Sequence, residues 1–375
     1  MKRPLDKNSI QKIVIKVGTR LLTYDTGKLN LGLIDRLVRE IADLKNQGKE
    51  VVLVSSGAVG AGIGRLGLKR KPVSVQEKQA VAAIGQGILI QFYEKHFAEY
   101  GHVVAQVLLT REDLENRARY LNSRNTLLHL LKFGAIPIVN ENDTISTAEI
   151  EFGDNDRLSA LVATLIDADL LLILTDIDGL YTANPLHDPE ATCISLVEEI
   201  TPSIKKIAGK TEEMLAKGGM ISKVEAAEIA MTSGINMVIA NGRKPHIIEM
   251  VLNGEETGTL FCSQQDQLRS RKRWIAFGQK IRGSITIDKG AEGALKQEGK
   301  SLLSIGVVQV DGSFSKGETI SIYSENSGYE MARGLTNFSA EELRQIKGCK
   351  SNEIKDILGY AGSKEVIHRD NLVLC

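Results

Sequence analysis

The chain has 375 residues, enough for two domains of roughly 100–200 residues each. Acidic and basic residues balance at 47 each, which excludes a whole-chain field that would recruit nucleic acid or an anionic membrane. No stretch approaches the ~20 apolar residues that cross a bilayer, Met1–Gln11 lacks a signal-type apolar run, and Cys193, Cys262, Cys349 and Cys375 form no CxxC pair, so a cytoplasmic protein with reduced thiols and no protein-bound metal is expected.

The first two-thirds alternates short apolar runs with longer helical patterns. Ile13–Val17 predicts a β-branched strand, and Leu33, Leu37, Ile41 and Leu44 then recur at helical spacing. Val51–Val54 predicts a strand buried on both faces. A helix is predicted over Gln76–Glu99, a strand over Val103–Leu109, a helix over Arg117–Lys132 and a strand over Ile136–Val139. A helix over Asp156–Asp167, a strand over Leu170–Leu174, a helix over Met220–Ser233 and a strand over Met237–Ala240 follow. Strands alternating with helices imply crossover connections, hence an α/β fold with a mostly parallel central sheet sandwiched by helices.

The pattern changes after about Asp266. Residues 268–275 read as a basic linker carrying Trp274, and 276–375 as a small β-rich domain appended to a first domain over 1–267. In that tail Ile285/Ile287, Val308/Val310 and Ile320/Ile322 alternate with polar residues, Asp311-Gly312 predicts a hairpin turn, and Ser339-Ala340-Glu341-Glu342 has capping-box spacing.

Four segments fall where strands give way to loops, which is where open α/β sheets bind ligands. Lys16, followed by Val17 and Gly18, could set an ammonium beside a phosphate or simply snorkel from a strand end. Ser55-Ser56-Gly57-Ala58-Val59-Gly60-Ala61-Gly62 lets backbone approach an anion or makes a tight strand-to-helix turn, and matches neither a Walker A loop nor a dinucleotide fingerprint. Asn140-Glu141-Asn142-Asp143 and Gly153-Asp154-Asn155-Asp156 concentrate amides and carboxylates that suit an amino-acid substrate, although Asp154 and Asp156 could also be helix caps. Thr175-Asp176 ends an apolar strand. Further on, Gly218-Gly219-Met220-Ile221-Ser222-Lys223 opens a helix with a lysine that opposes the macrodipole unless an anion is bound. Two lysines and two glycine-rich segments with acidic residues between them suit phosphoryl transfer, which rests on positioning and charge neutralisation. The six histidines are isolated and form no competing nucleophile arrangement.

On IVIKVGT, SSGAVGAG, NENDT, FGDNDRLSA, LTDIDGLYTANP and GGMISK, in this order, the chain resembles the amino acid kinase family over its first domain. Its tail resembles a PUA domain, a β-rich pseudobarrel common on RNA-modifying enzymes. The resemblance implies an ATP-dependent kinase acting on the γ-carboxylate of free L-glutamate, the first step of proline biosynthesis, with proline as feedback inhibitor and Mg²⁺ carried on the ATP. It implies that Lys16 and Lys223 flank the transferring phosphoryl group, with Asp156 orienting both. Ser56, Gly57, Asn140, Asp143 and Asn155 would hold glutamate. Thr175 and Asp176 would border the nucleotide, and Lys217, Gly218, Gly219, Met220, Ile221, Ser222 and Lys223 would form the loop over it. The family commonly has a small hydroxyl residue where Lys217 stands, so this loop carries an added charge. A homo-oligomer, dimer or tetramer, is implied. Relatives of the same fold that act on acetylglutamate, aspartate, carbamate or UMP are the alternatives. An RNA-binding role resting on the tail is not favoured, because the tail lacks a basic and aromatic platform.

Overall fold

Ile13–Val17 and Val51–Val54 sit at the centre of a large sheet, as their unbroken β-branched runs require. The computed structural model describes residues 3, 5–145, 155–185, 187–210, 219–263, 281–360 and 363–374. The chain divides into two compact units, one holding the residues up to 267 apart from 115–117, the other holding 115–117 and the residues from 268 onward. The expected linker 268–275, with Trp274, lies outside the described residues.

The first unit carries β1 (Lys12–Val17), β2 (Glu50–Ser55), β3 (Val104–Leu109), β4 (Ile136–Glu141), β5 (Leu170–Thr175), β6 (Leu196–Val197), β7 (Asn236–Asn241) and β8 (Thr259–Phe261). They form one sheet in the order β3-β4-β2-β1-β5-β7-β8-β6. Every neighbouring pair is parallel except β7 with β8. The two short strands β6 and β8 were not predicted; at two and three residues they are too brief to show a period. The predicted helices are present at Val75–Glu99, Arg117–Lys132, Asn155–Ile166 and Met220–Thr232, with ends within a residue of expectation.

Alternation along β1 sorts its side chains. Ile13, Ile15 and Val17 enter a core shared with the helices Leu31–Asn46 and Ile247–Leu252 and with Tyr93 and Phe97. Lys16 points to the opposite face, where it meets the helix Asn155–Ile166. That helix is buried on nearly every side, as its apolar run from Leu158 to Ile166 dictates. The chain runs from β1 outward to β2, β4 and β3 on one side and to β5 and β7 on the other, so the switch point lies at β1. The carboxyl ends of β1, β2, β4 and β5 therefore face one crevice.

The SSGAVGAG segment is mostly helix (Ala58–Leu66), not loop. Gly57 is its N-cap at φ 100, a left-handed conformation that favours glycine. Gly62 serves packing instead: a Cβ there would lie 2.1 Å from the Val81 carbonyl oxygen, and one on Gly85 would lie 1.7 Å from that of Ala58. The helices Ala58–Leu66 and Val75–Glu99 thus cross backbone to backbone.

The second unit holds β9 (Gly283–Ile287), β10 (Val307–Gly312), β11 (Thr319–Ser324), β12 (Glu330–Leu335) and β13 (Leu372–Leu374), in the order β10-β9-β11-β12-β13. Two expectations fail here. Asp311-Gly312 makes no hairpin: β10 pairs with β9, and β11 also pairs with β9, in parallel. The Val308/Val310 alternation is broken by a register shift between Val307 and Gln309, so Val308 is 40% exposed while Val307 and Val310 are buried. The capping box at Ser339 and Glu342 is present and opens the helix Ala340–Ile346. Ile285, Ile287, Ile320, Ile322, Phe338 and Leu343 anchor a separate core. Among the described residues, no helix is long and apolar enough to cross a membrane.

Candidate active site

Asp156 is the pivot. It lies in the first turn of the helix Asn155–Ile166, where a carboxylate suits the macrodipole, and it is 0% exposed. Lys16 donates to one of its carboxylate oxygens. Lys223 Nζ donates to the other, Oδ2, at 2.9 Å, and Ser222 Oγ donates to the same oxygen at 3.0 Å. Both lysines are 4% exposed. Residues 16 and 223, on a central strand and on the helix Met220–Thr232, thus converge on one carboxylate. Among the described residues this cluster sets two ammoniums against one carboxylate. A buried ion costs several kcal/mol of desolvation, so two ammoniums held this deep beside one carboxylate form a place where an approaching anion meets fixed positive charge.

The start of that lysine-bearing helix adds to the field. Gly219 is its N-cap and supplies no side-chain cap to the first amide groups of the helix, an end that suits an anion. Gly219, Met220, Ile221 and Ser222 stand at this terminus, whereas Lys217 and Gly218 lie outside the described residues.

Asn155, one residue before the pivot, turns the other way. Its Nδ2 donates to Asn140 Oδ1 at 2.8 Å, to Ser56 Oγ at 2.9 Å and to the Ser55 carbonyl at 3.4 Å. Asn140 ends β4 and Ser56 follows β2, so this second cluster spans two strand ends beside the first. Gly57 is buried next to Ser56, and Asp143 is half-buried in the turn after β4. Asp154 and Gly153 lie outside the described residues. On the far side of β1, Thr175 Oγ1 donates to Asp176 Oδ1 at 3.2 Å. Asp176 also meets Arg20 at 3.4 Å.

Sequence reasoning missed three contributors. Gln86 Oε1 accepts from Asn140 Nδ2 at 2.8 Å. Asn241 and Lys244 hold Asp178, at 3.3 and 2.7 Å. Chiefly the Lys244 hydrogen bond keeps the Asp178 carboxyl below the usual carboxylate range. Asn241 ends the apolar strand β7 and could have been found by the rule that found Asn140. Gln86 sits in mid-helix among small residues and has no such marker. Beneath Ser56, the Tyr93 hydroxyl shares a 2.9 Å hydrogen bond with Ser55 Oγ, and burial pushes the phenol up to about 12.

Residues 11–241 match the amino acid kinase family, and residues 283–358 match the PUA domain. The chain belongs to the amino acid kinase family. A curated member from Moorella thermoacetica named glutamate 5-kinase is 53% identical over 364 residues, covering 97% of this chain and 96% of that one. Another of that name, from Thermoanaerobacter sp. (strain X514), is 52% identical over 363 residues and 97% of each chain. The solved UMP kinase of Bacillus anthracis, 17% identical, superposes with a TM-score of 0.47 over 69% of this chain and 99% of its own. Among the described residues of this family member, no group of three or more His, Cys, Asp and Glu side chains could hold a metal ion.

Proposed function

We propose that this kinase transfers the γ-phosphoryl group of ATP to the γ-carboxylate of L-glutamate, giving L-glutamate 5-phosphate and ADP, the first step of proline biosynthesis. The observation that carries the reading is the convergence of Lys16 and Lys223 on Asp156, one residue from the amide cluster of Asn155, Asn140 and Ser56. The names of relatives about half identical over nearly the whole chain support the choice of substrate.

The chemistry needs little from the protein beyond placement. A glutamate side-chain carboxylate titrates near ~4.3, so it is already a nucleophile at neutral pH and no general base is required. The obstacle is the approach of two anions. Lys16 and Lys223 offset it, and Asp156 holds both ammoniums at fixed points so that they do not reorganise as charge moves to the bridging oxygen. Asn155, Asn140, Ser56 and Gly57 orient the amino acid, with Asp143 as acceptor for its ammonium. Thr175, Asp176 and the segment from Lys217 to Lys223 border the nucleotide. Both oxygens of Asp156 are engaged by lysines, which makes it a poor metal ligand; Mg²⁺ therefore rides on the ATP phosphates with its waters.

The same reading carries proline as a feedback inhibitor overlapping the glutamate pocket, a cytoplasmic location and a homo-oligomeric assembly. RNA binding by the tail is not favoured. The division of the chain near 267 supports a kinase domain over 1–267, a linker over 268–275 and a PUA domain over 276–375.

The test is ADP release by the full chain with MgATP and L-glutamate, against L-aspartate, N-acetyl-L-glutamate and UMP. L-Glutamate is expected to give by far the highest rate, and hydroxylamine to trap the acyl phosphate as a hydroxamate. A rate independent of L-glutamate, or one higher with UMP, overturns the assignment.

A further inference from the structure

The amide cluster has a direction, and Gln86 is the acceptor at which one branch of it ends. The backbone carbonyl of Ser55 can only accept, so the Asn155 atom facing it is the Nδ2 amide nitrogen. The same nitrogen faces Asn140, which must then present Oδ1 to it. That leaves Asn140 Nδ2 pointing at the helix Val75–Glu99, where Gln86 Oε1 receives it at 2.8 Å. Asn155 is the source of the cluster: its amide donates to Asn140, which donates on to Gln86, and it also donates to Ser56. On this second branch the Ser56 oxygen accepts from Asn155, and no acceptor among the described residues takes the Ser56 hydroxyl hydrogen. No donor among them reaches Asn155 Oδ1. The cluster therefore leaves one acceptor and one donor side by side, the pair that an ammonium and a carboxylate of one amino acid require.

We infer that Gln86 is a positioning residue for the amino-acid substrate: it fixes the amide of Asn140, which together with the Ser55 carbonyl holds the face that Asn155 turns to the ligand. This rests on the proposed glutamate reading. Gln86 belongs to neither lysine contact, so it acts on substrate affinity and leaves the phosphoryl-transfer step alone. Without its oxygen the Asn140 amide can turn over and place its nitrogen against that of Asn155, setting donor against donor and displacing Asn155 from the position it offers to substrate. The position also has a structural guarantee. Gly85, the preceding residue, packs against the backbone of Ala58, which locks this turn of the helix beside the Ser56–Gly57 loop.

The experiment uses the full chain and initial rates of ADP release with L-glutamate and ATP varied in turn. Gln86→Met keeps the length and loses the acceptor; Gln86→Glu keeps an acceptor oxygen. The expected result is a rise of about tenfold in the KM for L-glutamate in Gln86→Met, the size of one lost hydrogen bond. Its kcat and its KM for ATP stay within about twofold, and Gln86→Glu keeps its KM for L-glutamate within about threefold. An unchanged KM in Gln86→Met overturns the assignment, as does an equal rise in both variants or a loss confined to kcat. A wild-type chain whose ADP release ignores L-glutamate overturns the substrate reading and this inference together, whereas the other outcomes overturn this inference alone.

Discussion

Asp156 and Lys223 touch, yet replacing them should have different consequences. Lys223→Met removes one ammonium and leaves Lys16 paired with Asp156. Asp156→Asn leaves both ammoniums without the carboxylate they share, at a site with 0% exposure. Breaking a buried ion cluster in that way costs about 3–5 kcal/mol. The expected outcome is that Lys223→Met lowers kcat by roughly 10²–10³ while the melting temperature changes little, the size of effect seen when one preorganised donor is removed. Asp156→Asn should lower both. Thermal denaturation beside ADP-release rates reads the difference, and a destabilised Lys223→Met chain would count against the charge argument. At this scale the sequence was informative for polar residues at strand ends: Lys16, Asn140 and Thr175 were all visible by position. It was silent on Gln86, because a glutamine in mid-helix looks like any solvated residue until the partner across the fold is known.

Between elements, the helix Val75–Glu99 carries two glycines two residues apart with opposite meaning. Gly85 lies against the Ala58 carbonyl at a distance no side chain tolerates, while Gly87 is exposed and a methyl added there would meet nothing within 4 Å. Gly85→Ala must push two backbones apart and should cost about 1–3 kcal/mol or more. It should also raise the KM for L-glutamate, since Gln86 and Gly57 move with the crossing. Gly87→Ala relieves the helix of a flexible residue and should add about 0.5–1 kcal/mol. Chemical denaturation of the pair checks both signs; a Gly85→Ala chain as stable as the wild type would sink the close-contact account. Element type was legible wherever an apolar run or a helical period was long. It failed where geometry came from a partner: the glycines of SSGAVGAG read as a loop because a run of small residues marks a bend and a close helix crossing alike. The Asp311-Gly312 turn read as a hairpin because local chemistry cannot say that β11 joins β9 and not β10.

Over the whole molecule, every described residue of the proposed site lies in the first unit, and the second has its own apolar core. A chain ending after Gln267 is expected to fold and to keep glutamate-dependent ADP release within about threefold, on the ground that domains with separate cores fold alone. Loss of turnover in a folded truncated chain would assign the tail a part in catalysis. The α/β alternation and the change of pattern near Asp266 were readable because they are properties of long stretches. Strand order was not, because nothing local tells β1 that its second neighbour is β5. That order has a consequence for biosynthesis. β1 is synthesised before every other strand of its sheet yet is destined for the middle of it, and β5 is made only after more than a hundred further residues have followed it. Throughout that interval the nascent chain presents an unpaired apolar edge, open to mispairing and to holding by chaperones.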